Sequence, residues 1–544
     1  MERRRNEPCH CGSGTRYKWC HGKIGEAAAT LPSDNDMQRA LAQLEAEQMI
    51  REQQQGLGRP IVAAKLNDHQ VVAVKNKIYY SKEWKTVPDF LSGYLKNVLD
   101  PAWGNAELAK PLADRHTILQ WYEEYCTYQR KTIKTPGVVR SAEVTGVVAC
   151  YLGLAYSLYL IDHNVELQER LVRRLKKADQ FQGAYYELMI ANALIRAGFE
   201  LTLEDETDGA TKHCEFFAVS KKSGKKYWIE AKSRAVAGLL GKTTVDGGSD
   251  KNPLSQLIPH LNAALAKPAS DERLIFIELN APMSADAHDG KRPEFIERAT
   301  KRLEDYQTKE LTTDKSAYVF ITNTAFHRHL EGQPAFVVVP FGLGIPDFNR
   351  TGYFRLSERY RQEQKHSDAI AICDAFASFL KFPVTFDGSL PSETYNASSS
   401  RVIIGQTYFF DSIGDNGTLG TVTTATVNIP EKAAYIAIFT PDKQSLILKQ
   451  PMSDSEIEDY KQYGDAYFGR PEPPRKEIKT SLDMFQWVVK SSRGMSRKGM
   501  LEWFGKRPDI DRLAAMNDDD LYMEYCEAVV ISMEAMKGAR PKEK

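Results

Sequence analysis

No run of eighteen apolar residues occurs in this chain of 544 residues, so no membrane span is expected. The nearest approach, VTGVVACYLGLAYSLYLI at residues 144–161, carries two glycines, a serine and three tyrosines and reads as a buried helix. The arginines at the N-terminus have no apolar stretch behind them, so the pattern of a secretory signal is missing. Net charge is lacking as well. The 72 basic residues balance 72 acidic ones, which leaves no global field to recruit a polyanion, and a nucleic-acid site would have to be a local basic patch. Cysteine is sparse. Of eight, Cys126, Cys150, Cys214, Cys373 and Cys526 are scattered, which argues against a disulfide framework and for a reducing cytoplasm. Cys150 and Cys373 sit in apolar helical patterns and read as core thiols. Internal repeats and long low-complexity tracts are also missing. GLLGKTT at 238–244 is no phosphate loop, because Val236 stands where the first glycine is needed.

The other three cysteines are concentrated near the front. In CHCGSGTRYKWCH, Cys9 and Cys11 form one pair of ligands, Cys20 and His21 form another, and Gly12-Ser13-Gly14 is a turn that lets the chain double back. Thiolates and imidazole in this arrangement suit tetrahedral Zn²⁺, and four protein ligands make a closed, structural site. His10 competes with His21 but lies between two ligands. The stretch resembles the SEC-C motif, a zinc knuckle best known from a protein-export motor. That motif has Cys-x-Cys, then Gly-Ser-Gly, a Lys-rich aromatic stretch, and Cys followed by Cys or His. Tyr17, Lys18 and Gly22 complete the match. The resemblance implies an interaction module that docks to a protein partner or to nucleic acid.

A length of 544 residues suggests roughly three to four units, and an apolar content of 42% is ordinary for folded protein. SDNDMQRALAQLEAEQMIREQQQG reads as a polar helix capped by Ser33 or Asp34 and ended by Gly56. IVAAKLNDHQVVAVKNKIYYS reads as a strand pair turning at Asn67-Asp68, and residues 86–180 are helical in pattern. Phe181, Tyr185, Leu188 and Ile195 then mark one face of a helix that stops at Gly198. From there to about residue 345, short apolar strands (CEFFAVS, KYWIEAKS, RLIFIEL, AYVFIT, AFVVVP) alternate with the helices PLSQLIPHLNAALAK and PEFIERATKRLEDYQ. Alternation of this kind predicts an α/β sheet with helices on its faces. Beyond 346 come the helix LSERYRQEQKHSDAIAICDAFASFL, the loop SETYNASSS, the strands RVIIGQTYFF and YIAIFTPDKQSLILKQ, and a mainly helical end.

The chemistry is sought in the hairpin CEFFAVSKKSGKKYWIEAKS. With Ser223-Gly224 as a two-residue turn, Glu215 lies opposite Lys232 and Phe217 opposite Glu230. Glu215, Glu230 and Lys232 then share one face of the sheet. Two converging carboxylates need a cation between them, and oxygen ligands select Mg²⁺, while a nearby lysine orients water and stabilises developing charge. This segment resembles the PD-(D/E)XK nuclease superfamily, whose core has a helix with an acidic residue, a strand with Asp or Glu, and a strand ending in (D/E)-x-K. Glu187 matches the helix position, Glu215 the first strand, and Glu230-Ala231-Lys232 the second; Gln256 stands where some members place a glutamine. Cys214-Glu215 replaces the usual Pro-Asp, and Asp208 is the poorer alternative for that carboxylate.

The resemblance implies an α/β, multidomain chain with a restriction-endonuclease-like mixed sheet flanked by helices. The expected organisation is a knuckle at 1–25, a polar helix or linker at 26–58 and a mainly helical domain with an N-terminal hairpin at 59–180. The nuclease core follows at 181–345, then a helix plus a small β-rich unit at 346–450 and a C-terminal helical region at 451–544. It further implies a nuclease, endo- or exo-acting, that hydrolyses DNA or RNA with Mg²⁺ or Mn²⁺ held by Glu215 and Glu230 and helped by the Ala231 carbonyl. Lys232 would serve the attacking water, Glu187 would be an accessory ligand or base, and Gln256 a positioning group. By analogy such an enzyme works in bacterial restriction, repair or phage defence. The rival reading is a non-catalytic adaptor that binds nucleic acid or protein. Of the remaining signals, His327-Arg328-His329 reads as a surface loop, and RLVRRLKKAD as a solvated helix face or a phosphate contact.

Overall fold

The computed structural model describes residues 34–135, 137–166, 169–203, 216–236, 252–283, 292–312, 315–353, 355–396, 401–411, 413, 417–472, 478–505 and 507–538. Cys9, His10, Cys11, Cys20 and His21, together with Asp208, Cys214, Glu215 and the glycine-rich segment at 238–248, lie outside the described residues. The chain divides into two compact units. One comprises the described residues up to Glu47, Val402–Pro451 and Asp465–Glu472; the other holds Gln48–Arg401, Met452–Gly464 and the described residues after Glu472.

The larger unit opens with a three-stranded antiparallel meander, β1 (Val62–Leu66), β2 (His69–Val74) and β3 (Lys77–Ser81), where a strand pair was expected. Asn67 and Lys75 take positive φ at its two turns. Its main sheet has six strands in sequence order: β4 (Phe199–Leu203), β5 (Phe216–Ser220), β6 (Lys226–Ser233), β7 (Glu272–Glu278), β8 (Ala317–Asn323) and β9 (Val337–Leu343). Pairing is antiparallel from β4 to β6, parallel through β6–β7–β8, and antiparallel again at β9. The parallel strands are buried on both faces, which is why RLIFIE and AYVFITN are near-continuous apolar runs. Alternation divides them between two cores. Leu274, Phe276, Tyr318 and Phe320 pack with the helix Phe181–Arg196, while Ile275, Ile277, Val319 and Ile321 pack with the helices Leu257–Leu265 and Glu294–Lys309.

The expected boundary at residue 180 runs through one of these cores. The helix Gly146–Asn164 is buried along its whole length from Gly146 to His163, and its side chains join the same cluster as the helix Phe181–Arg196 and the sheet. It is long and apolar enough to cross a membrane but is fully enclosed by protein. Its start is set by close backbone approach. Gly146 and Val147 donate to the carbonyls of Gly332 and Leu330, and a Cβ on Gly146 would lie 2.1 Å from the His329 carbonyl oxygen. The helix Phe181–Arg196 is likewise buried all round rather than on one face, and ends before Gly198 at φ 88°. The polar helix near the N-terminus spans Asp34–Gln55, as its caps predicted.

The hairpin β5–β6 corrects the expected register. Ser220 and Lys225 close a four-residue loop, with Gly224 at positive φ, so Phe217 pairs with Trp228 and not with Glu230. Asp368 holds that loop: Ser220, Ser223 and Tyr227 all donate hydroxyl hydrogen bonds to its carboxylate. An offset of two residues leaves every side chain on the face expected for it.

Downstream, the long helix expected after 356 breaks at His366 into Leu356–Lys365 and Ser367–Ala377. The first of these joins the C-terminal helices, where Arg355 pairs with Glu524 and Glu527. The segment expected as the loop SETYNASSS begins with a short helix, Pro391–Tyr395. In the smaller unit, β10 (Thr407–Phe410), β11 (Thr418–Asn428), β12 (Ala433–Phe439) and β13 (Ser445–Pro451) form an antiparallel sheet.

Candidate functional site

Strand β6 carries Glu230 and Lys232, the expected E-x-K pair. Glu230 and Lys232 are in register with Ile275 and Ile277 of β7, so both face the helix Leu257–Leu265. Glu230 is only 1% exposed. Its carboxylate meets two ammonium groups, Lys232 Nζ at 2.9 Å and Lys267 Nζ, just past that helix, at 2.6 Å. A buried carboxylate is costly without partners, and here each oxygen has one. The lysine side chains keep 21% and 15% of their surface, which leaves the ammonium groups a path to water or to an anion. His260 on the same helix is held below the ordinary imidazole pKa, by burial first and then by the charge of Lys232. Among the described residues, one carboxylate and two ammoniums meet at this point.

Glu187 lies elsewhere. Its helix packs on the opposite face of the sheet, against Ile229, Ala231 and Phe276, and its carboxylate makes a two-pronged ion pair with Arg174, 2.6 Å at each oxygen. The structure therefore does not bring Glu187 to Glu230 and Lys232. Arg174, read as part of a basic solvated face or phosphate contact, has this pairing as its use. Gln256 is exposed at the start of the helix Leu257–Leu265, where its backbone carbonyl accepts from His260. Among the described residues no group of three His, Cys, Asp or Glu side chains is placed to hold a metal ion. The described residues alone do not fit a divalent cation at Glu230: they bring lysines to both of its oxygens, and Glu215, the expected second carboxylate, lies outside them.

Sequence reasoning missed a second buried carboxylate, Glu278, at the end of β7. It accepts from the hydroxyls of Thr322 at 2.7 Å and Thr324 at 2.8 Å, and from the backbone N–H groups of Thr324 at 3.0 Å and Asn280 at 3.1 Å. Burial pushes its pKa above the ordinary carboxylate range, and these hydrogen bonds oppose the shift. Tyr186 shares the Thr322 hydroxyl, which ties the network to the helix Phe181–Arg196. Arg234 and Arg328 donate to the carbonyls of Leu279 and Asn280 around it. His327-Arg328-His329 is thus no surface loop. His327 is buried, and His329 Nε2 lies 2.8 Å from the Met283 carbonyl. The signal was a carboxylate closing the apolar strand LIFIE, with threonine and asparagine at the matching end of the next strand, in TNT.

Residues 5–23 match the SEC-C motif. That motif is often zinc-binding, and Cys9, Cys11, Cys20 and His21 all fall within the matched residues. No curated protein and no solved structure matches the chain.

Proposed function

We propose that this chain is a nuclease that hydrolyses phosphodiester bonds of nucleic acid, with Glu230 and Lys232 as its E-x-K pair and the SEC-C segment as a docking module. The observation that carries this reading is the placement of Glu230 and Lys232 side by side on one face of β6, at the junction of the antiparallel hairpin and the parallel strands of a mixed sheet. In this reading Lys232 offers its ammonium to a phosphate oxygen as negative charge develops, and Glu230 is the positioning residue that fixes it. A Mg²⁺ or Mn²⁺ ion would supply polarisation of the phosphate and a nucleophilic hydroxide. Because the described residues do not by themselves fit that ion, its second carboxylate would be Glu215. Cys9, Cys11, Cys20 and His21 form three thiolates and an imidazole, the donor set of a structural Zn²⁺, and would hold one ion.

The test uses the full chain on labelled single-stranded DNA, duplex DNA and RNA, with Mg²⁺, Mn²⁺ or chelator. Cleavage should need the added ion, and Lys232→Ala should slow it by about two orders of magnitude while its melting temperature holds. Equal rates for wild type and Lys232→Ala would sink the nuclease reading. The rival reading, an adaptor that binds without cleaving, is favoured by one observation: both oxygens of Glu230 are already ion-paired, as in a purely structural triad. It expects nucleic-acid or protein binding with no turnover under any ion.

A further inference from the structure

A cleft in the helical part of the larger unit has a separate use. The helices Val87–Val98, Pro101–Leu108 and Thr117–Thr132 enclose a cavity of about 180 Å³. Its floor is aliphatic and buried, from Leu95, Leu99, Ile118 and Leu119. Its walls are Trp103, Tyr122 and Tyr151. The tyrosine walls are held by ring packing: Tyr151 lies 5.7 Å from Tyr122 and 4.9 Å from Tyr125, centroid to centroid. Trp103 rests on His116 at 5.4 Å. An apolar cavity of roughly 150 Å³ is enough for a benzene-sized ring, so this one takes a single planar ring system and little more.

The electrostatics add a second requirement. Lys96 lines the cleft and places its ammonium 4.8 Å from the Tyr122 ring centre. Lys176 places its ammonium 5.7 Å from the ring of Trp103 on another wall. Asp100 also lines the cleft, but its carboxylate accepts from the Ala102 N–H and caps the helix Pro101–Leu108. Of these two cations Lys96 lines the cleft and Lys176 does not, while that acid is engaged locally. We infer that the cleft binds a planar aromatic ring bearing an anionic group, with the ring between Trp103 and the tyrosines and the anion at Lys96. A nucleotide has this chemistry, either free or as one unstacked unit of a single strand. The inference does not rest on the cleavage reading, since none of these residues belongs to the Glu230 site.

Gly104 supplies the decisive variant. It lines the cleft, and a Cβ there meets nothing within 4 Å, so Gly104→Leu adds a bulky side chain at the cleft wall without a backbone clash. Tryptophan fluorescence of the full chain would be titrated with adenosine 5′-monophosphate, with a deoxyadenylate hexamer, and with indole as a neutral ring. Wild type should bind all three, and Gly104→Leu should lose all three with its thermal unfolding intact. Lys96→Glu should weaken the monophosphate by about tenfold or more and leave indole within about twofold. A hexamer that binds far more tightly than the monophosphate identifies a strand as the source; equal affinity identifies the free nucleotide. Monophosphate binding unchanged in Gly104→Leu would overturn the site. Unchanged binding in the lysine variant would overturn the anionic part of the ligand.

Discussion

Glu230 on β6 and Glu278 on β7 are both carboxylates sunk into the same sheet, yet they are stabilised by opposite means. Glu278 is surrounded by neutral donors, two threonine hydroxyls and two backbone N–H groups, and the N–H groups cannot turn away if the acid is removed or protonated. Glu230 is met by two flexible ammonium groups with a route to solvent. The neutral donors make a structural clasp that joins β7, β8 and the helix Phe181–Arg196 at one end of the sheet. On that contrast the proposed chemistry is assigned to Glu230, and Glu278 is read as architecture.

The largest effect of substitution is expected at the clasp. Glu278→Leu should cost about 3–5 kcal/mol in denaturant unfolding, because several buried donors lose their acceptor together. Glu278→Gln keeps one acceptor oxygen and should cost much less. The sign of its pH dependence is set by the raised pKa. The folded carboxyl holds its proton to higher pH than the unfolded one, so its contribution is full below about pH 4.3 and is lost as pH rises through the folded pKa. Wild type should therefore lose stability over that window relative to Glu278→Gln.

A buried histidine gives the next effect and the opposite slope. His116 accepts the Ile118 N–H at Nδ1 and packs on Trp103 and Phe181, and burial lowers its pKa to about 4 against the weaker pull of Glu107. The unfolded imidazole takes its proton first, so stability should fall by up to about 3 kcal/mol between pH 6.5 and 4. His116→Asn should abolish that slope in urea titrations at stepped pH.

At Glu230, truncation should cost about 2–3 kcal/mol, less than at Glu278, since Lys232 and Lys267 can swing toward water. A double-mutant cycle of Glu230→Leu with Lys267→Met should show positive coupling, with the pair together costing less than the sum. A loss at Glu230 as large as at Glu278, with no recovery in the double variant, would erase the distinction between the two acids. The smallest change is expected for Lys232→Ala, under about 1 kcal/mol of stability, because Lys267 still pairs with Glu230.

Much of the sheet was legible. β6 to β9 announced themselves as apolar runs, and the helices between them by their period. Two strands were not. β4 follows Gly198 as FELTL, with only five residues and little contrast to the polar stretch after it. β11, TLGTVTTATVN, is so rich in threonine that its β-branched character was masked by polarity. Of the site, the shared face of Glu230 and Lys232 followed from strand alternation alone. Lys267 did not, because it sits 37 positions beyond Glu230 and reaches it only once the helix Leu257–Leu265 has folded back over β6.

By itself the sequence determined what depends on local spacing: the SEC-C pattern within residues 5–23, the burial of the 146–164 helix, and which face of β6 each residue takes. Periodicity carries such facts because each turn or strand repeats over a few residues. Tertiary structure alone decided which charges meet. Glu187 has the residue type for a shared acidic site, yet its helix packs on the face opposite Glu230, where Arg174 claims it. Glu278 looked like one more strand end until β8 brought Thr322 and Thr324 beside it. Partners brought together across a sheet are set by layer packing, which no local pattern records.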